Sequence, residues 1–101
     1  MRVLVREPIN QPLQLKEIEG AFEDFQEIVG ESIEIVPITD NIVCICNEKG
    51  ESQELGRNFY DDRLGWIMGT CVFTAAKNSE FDSLTDQQIG YISEYIGFPV
   101  V

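Results

Sequence analysis

Apolar and polar positions divide the chain into short segments of two periodicities. Arg2 to Val5 reads as a short strand, and Leu13 to Ile18 as a strand returning beside it. Between them, Glu7-Pro8-Ile9-Asn10-Gln11-Pro12 is a turn, because its two prolines cannot donate to a ladder. From Gly20 to Val29 the spacing changes to threes and fours: Phe22, Phe25, Ile28 and Val29 share one face, and Glu19, Glu23, Asp24 and Glu27 occupy much of the other. This predicts a first helix, with Gly30 as a left-handed stop.

Ser32 to Val36 alternates like a strand and ends at Pro37, and Thr39-Asp40-Asn41 turns the chain into Ile42-Val43-Cys44-Ile45-Cys46. That run is apolar at every position, which predicts a central strand covered on both faces. Ser52 to Leu64 favours loop or a single helical turn, since Gly56, Asn58, Asp61 and Asp62 interrupt it. Gly65 to Ala76 is β-rich and predicts the longest strand, with Gly69 marking a bulge or a close backbone approach. In the last element, Thr85 and Gln88 stand at capping-box spacing. Leu84 and Ile89 stand at hydrophobic-staple positions, Ile89, Ile92 and Ile96 share a face, and Gly97 closes the helix. The order predicts a single α+β domain: a mostly antiparallel sheet of about five strands with two helices packed on one face.

Composition narrows the chemistry. The chain has 101 residues, 18 acidic and 7 basic side chains and no histidine, for a net charge of −11. A hydrophobic fraction of 44% is too high for a disordered acidic tail, so the chain folds. Without histidine, Ser-His-Asp and Cys-His machinery is excluded within the chain, as is the commonest metal ligand. Strong negative charge opposes direct binding to nucleic acid or to an anionic membrane. Charge interrupts the apolar N-terminus at Arg2 and Arg6, too early for a signal peptide, which predicts a cytoplasmic protein.

Several segments carry a resemblance together. They are Met1-Arg2-Val3-Leu4-Val5, Phe25 to Gly30 running into Ile33-Glu34-Ile35-Val36-Pro37, Asn58, Ile67-Met68-Gly69-Thr70, and Phe81 to Ile89. Over nearly its whole length the chain resembles a small domain-of-unknown-function family whose members occur in phages, prophages and conjugative elements of bacteria. The resemblance implies a bacterial host cell as the setting, and it brings no catalytic or binding residues with it. Members tend to carry a proline before the asparagine and an arginine after it, where this chain has Gly56 and Phe59.

The candidate sites are few. Cys44, Cys46 and Cys71 fall in strand-like runs with no fourth cysteine, so core packing outweighs a zinc site and no metal or cofactor is expected. Tyr60-Asp61-Asp62-Arg63 offers two carboxylates beside an arginine, the minimal kit for acid-base work, although adjacent residues rarely face one way and a solvated loop with an ion pair is the simpler reading. No Gly-rich phosphate loop exists. On the first helix, Glu19, Glu23 and Glu27 repeat at intervals of four, where like charges repel. Tyr91 and Tyr95, with Trp66 and Phe98, serve as edge of core or as interface anchors.

These readings favour a non-enzymatic binding protein with no catalytic residues. Glu19, Glu23, Asp24 and Glu27 are its contact surface for a host protein with a basic surface, a nucleic-acid-handling or defence protein whose site the carboxylates occupy in place of phosphate. Two alternatives stay open: a small-ligand pocket of nucleotide type lined by Arg57, Tyr60 and Arg63, and a structural accessory protein, with a homodimer among its forms.

Overall fold

The computed structural model describes residues 1–101. The opening hairpin forms as β1 (Arg2–Arg6) and β2 (Gln14–Glu17), followed by the helix α1 (Phe22–Val29). Next come β3 (Ile33–Thr39), β4 (Ile42–Asn47), β5 (Arg57–Asp61), β6 (Gly65–Met68), β7 (Cys71–Lys77), β8 (Glu80–Asp82) and the helix α2 (Asp86–Ile96). The main sheet runs β2-β1-β7-β4-β3, with β8 also on β7, and every pairing in it is antiparallel. β5 and β6 make a separate two-stranded antiparallel sheet. The α+β class holds, with a main sheet close to the expected size.

As its uniform apolarity requires, β4 is central, between β3 and β7, and buried from Ile42 to Cys46. Its side chains alternate between two cores. Ile42, Cys44 and Cys46 join Leu4, Phe73, Leu84 and Ile92 in a cluster of 13 buried residues, whereas Ile45 joins Val3, Val5, Phe25, Val29 and Val72 in a cluster of six. Phe25 and Val29 belong to α1 and Ile92 to α2, so the helices cover opposite faces of the sheet. The expectation of both helices on one face is thereby corrected. Strands apolar on both sides need a cover on each, and one helix per face supplies it.

Two further corrections concern the segments around the small sheet. The Ser52–Leu64 stretch contains β5, and the run from Gly65 to Ala76 is two strands that break at Gly69. Gly69 has φ +88°, donates its N–H to the Gly56 carbonyl at 2.8 Å, and leaves 3.0 Å between an added Cβ and Leu55. The backbone turns there in a conformation that L side chains avoid, so β6 stays with β5 and β7 enters the main sheet. The short β8 was also unforeseen. Asn78 and Ser79 both have positive φ, at 53° and 66°, forming a two-residue turn of the mirror-image kind that returns β8 along β7.

The helix ends follow local chemistry. Thr85 accepts from the Gln88 N–H at 3.1 Å and the Gln88 side chain accepts from the Thr85 N–H at 2.9 Å, the expected capping box. Gly97 takes the left-handed conformation after α2. Gly30, after α1, has φ 124° and ψ 165°, a more extended region that glycine alone enters readily. An added Cβ at Gly30 would lie 2.5 Å from the Asn47 side-chain nitrogen, which donates to the Val29 carbonyl at 3.0 Å. No helix is long and apolar enough to cross a membrane.

Candidate functional site

α1 begins at Phe22, so Glu19 lies ahead of the helix and the stripe of three glutamates keeps only Glu23 and Glu27 on it. Phe22 itself, counted in the apolar face, is exposed. Asp24 is half-buried, and its carboxylate accepts from the N–H groups of Gly20 and Ala21 at 2.9 and 3.0 Å. It therefore caps α1, where negative charge meets the positive end of the helix dipole, and is not a free contact residue. Glu23 and Glu27 are exposed and, with Gln26, Glu31 and Ser32, line a shallow depression that has no apolar wall. Three of the 18 acidic side chains are in ion pairs: Glu17, Asp61 and Asp86. The members of this depression are not among them.

The second set of candidates divides. Arg57 lies over the Trp66 ring at 4.8 Å, and Tyr60 meets Trp66 edge-on at 5.6 Å, so these two share one half-exposed indole of the β5–β6 hairpin. Arg63 turns away, pairing with Asp61 at 3.1 Å and donating to the Pro37 carbonyl. Arg57 and Tyr60 line separate depressions, and Arg63 lines neither. Asp61 is buried, contrary to the solvated-loop reading of this turn, while Asp62 is exposed. Burial raises the Asp61 carboxyl, but the Arg63 side chain and the N–H groups of Arg63 and Leu64 outweigh burial and hold it below the usual carboxylate range. Its bonds inside the turn fix the hairpin tip.

Arg6 and Asn58 are the residues that sequence reasoning missed. Arg6 closes β1, is 2% exposed, and donates from Nε to the Gln11 carbonyl at 2.7 Å and from Nη1 to the Asn58 carbonyl and side-chain oxygen at 2.5 and 3.1 Å. The Asn58 side-chain nitrogen donates to the carbonyls of Arg6 at 2.8 Å and of Gly69 at 2.9 Å. One buried amide thus ties the small sheet to β1 and to the break before β7. The detectable signal was weak: a lone asparagine between Gly56 and two apolar-edged strands, in a register that shifts between Arg57 and Phe59.

Above this clamp, the small sheet and the C-terminal end of α2 enclose a depression of about 290 Å³. Arg6, Tyr60, Trp66, Tyr95 and Phe98 are in its wall. Three of the four aromatics singled out as edge or anchor residues therefore meet at one place, and the fourth, Tyr91, stacks on Tyr95 with ring centres 6.3 Å apart. Burial, aided by the Asp61 carboxylate, raises the Tyr95 hydroxyl above its ordinary range against the opposing pull of Arg63, so it is a neutral donor at physiological pH.

The three cysteines are buried and free, all in the larger cluster. Burial pushes the Cys44 thiol well above its ordinary range, which keeps it protonated and unreactive. No three His, Cys, Asp or Glu side chains are grouped so as to hold a metal ion.

Searches of the curated proteins and of the solved structures found no match. The resemblance carried by the opening strand, the Phe25 to Pro37 segment and the Phe81 to Ile89 segment does hold: residues 1–97 match the family model described as Domain of unknown function (DUF3846), and the chain belongs to that family.

Proposed function

We propose that this chain is a binding protein rather than an enzyme, and that the outer side of α1 docks on the basic surface of a partner. The observation that carries the reading is the depression lined by Glu23, Gln26, Glu27, Glu31 and Ser32, which has no apolar wall and whose three glutamates are exposed and in no ion pair. Glu23 and Glu27 repel one another across one helical turn, a small loss of helix stability that a cationic partner would reverse. With a net charge of −11 behind them, these carboxylates would steer a positively charged surface into contact and stand where phosphates otherwise bind. The partner that fits is a nucleic-acid-handling or defence protein of a bacterial host, met in the cytoplasm, as the phage and mobile-element resemblance suggests.

The test compares the native chain with a Glu23→Lys/Glu27→Lys variant, each immobilised and exposed to host lysate at low and at moderate salt. The expected result is a nucleic-acid-binding protein retained by the native chain at low salt, released by added salt, and absent from the variant. Equal retention by the two chains would refute the acidic-face reading.

A further inference from the structure

Arg6 is a buried cation without a counter-charge. It is 2% exposed, and the ion pairs of the chain involve Met1, Arg2 and Arg63 instead. Burying a guanidinium in this way is unfavourable unless its donors are used, and two of its three nitrogens are, Nε on Gln11 and Nη1 on Asn58. Nη2 donates to no group of the chain. It is not sealed off either, because no fully buried polar atom lacks a partner, and Arg6 helps to form the wall of the 290 Å³ depression. Phe98 covers the guanidinium face, with Cζ 4.3 Å from the ring centre, leaving the edge as the approach.

Around that edge stand aromatic rings left partly open to solvent. Tyr60 is 56% exposed, Trp66 45% and Tyr95 41%, all in the wall of the same depression. We infer that this depression is a ligand site for a small planar aromatic monoanion, with a carboxylate oxygen on Arg6 Nη2 and the ring against Trp66 and Tyr95. The charge follows from the wall: Arg6 is its one charged side chain, since Arg57 lies over the Trp66 ring but does not line the depression, and a dianion would bring an uncompensated charge into a chain already at −11. The size follows from volume, since sites for drug-sized ligands begin at about 300 Å³, which leaves room here for one or two fused rings. The site is separate from the acidic depression, which belongs to α1 on the opposite face of the sheet.

Trp66 is the only tryptophan, so its indole N–H gives a single, assigned nitrogen–proton resonance at the site. The full chain is titrated with 2-naphthoate, with the uncharged 2-naphthamide, and with uridine monophosphate as a dianion. Saturable movement of the Trp66 resonance is expected with naphthoate, with the amide weaker by about tenfold or more because a charge-assisted hydrogen bond is lost. Uridine monophosphate should bind more weakly than naphthoate. Tyr95→Ala, a half-exposed helix position, should keep the folded spectrum and weaken naphthoate several-fold. Equal binding of acid and amide, preference for the nucleotide, no effect of Tyr95→Ala, or no saturable shift with any compound at millimolar concentration would each overturn the proposal.

Discussion

The two faces of the main sheet are closed in different ways. Over one, α1 lays Phe25 and Val29 on Val3, Val5, Ile45 and Val72, with Phe25 meeting Phe81 edge-on at 5.2 Å. The buried hydroxyl of Thr74 donates to the Asp82 carbonyl at 2.8 Å, and the outer side of the helix is left to carboxylates. Over the other, α2 and a separate hairpin cover a larger cluster, and Arg6, Asn58 and Asp61 are buried with it. A helix satisfies its own backbone and needs only an apolar stripe to close a face. A two-stranded hairpin set against a sheet leaves turn and edge groups in need of partners, which buried polar side chains supply. The polar closure is also the one that leaves a cavity with a free donor.

The largest expected effect tests the apolar closure. Phe25→Ala should destabilise the chain by about 3 to 5 kcal/mol, since it opens a cavity under a helix of only eight residues. Chemical denaturation followed by far-ultraviolet circular dichroism measures it, and a loss as small as that of a surface change would mean that α1 is not holding its face.

The polar closure is tested by Asn58→Ala, which strips Arg6 and Gly69 of their shared partner. A loss of about 2 to 3 kcal/mol is expected, from buried groups left without hydrogen bonds. Hydrogen exchange should show the β5–β6 hairpin opening before the β1–β7 and β4–β7 pairings, and simultaneous exchange of both would erase the distinction between the two faces.

A smaller effect concerns Asp61. Its carboxyl is held low in the folded state, so the stabilisation it contributes is present above the ordinary aspartate value of about 3.9 and is lost as pH falls through the folded value. Asp61→Asn should therefore be less stable than the native chain at neutral pH, with the gap narrowing under acid. A gap that does not change between neutral and strongly acidic pH would show that the Arg63 pair is not what stabilises the hairpin tip.

The smallest change in stability belongs to the outer side of α1. Glu23→Lys/Glu27→Lys should move stability by under about 0.5 kcal/mol per site, because both residues face solvent. Added salt should raise the melting temperature of the native chain by screening its excess negative charge, and should do so less for the variant. An equal response to salt would separate the repulsion from this helix.

Local grammar was enough where local interactions decide. The α2 capping box involves residues three apart, and the two-sided burial of β4 is written in five consecutive apolar positions. The alternation at Ser32 to Val36 marked β3 for the same reason. β5 was hidden because Gly56, Asn58 and Asp61 are poor strand residues on their own; Asn58 sits there because Arg6, 52 residues earlier, and Gly69, 11 later, supply its partners. The candidate site divided in the same way, with Glu23 and Glu27 legible from helical spacing and Arg6 read only as a charge interrupting an apolar run.

What the sequence by itself determined is therefore the α+β class, the two helices, the central strand and the acidic character of the surface, each a property of composition or of spacing within a few residues. Tertiary structure alone decided which face each helix covers, that Asp24 caps a helix while Glu23 and Glu27 stay free, and that Arg6, Tyr60, Trp66, Tyr95 and Phe98 meet around one cavity. The physical reason is that periodicity reports which side of an element is buried but not what buries it. A buried charge is tolerated only where distant backbone groups converge on it, and that convergence exists only once the sheet has formed.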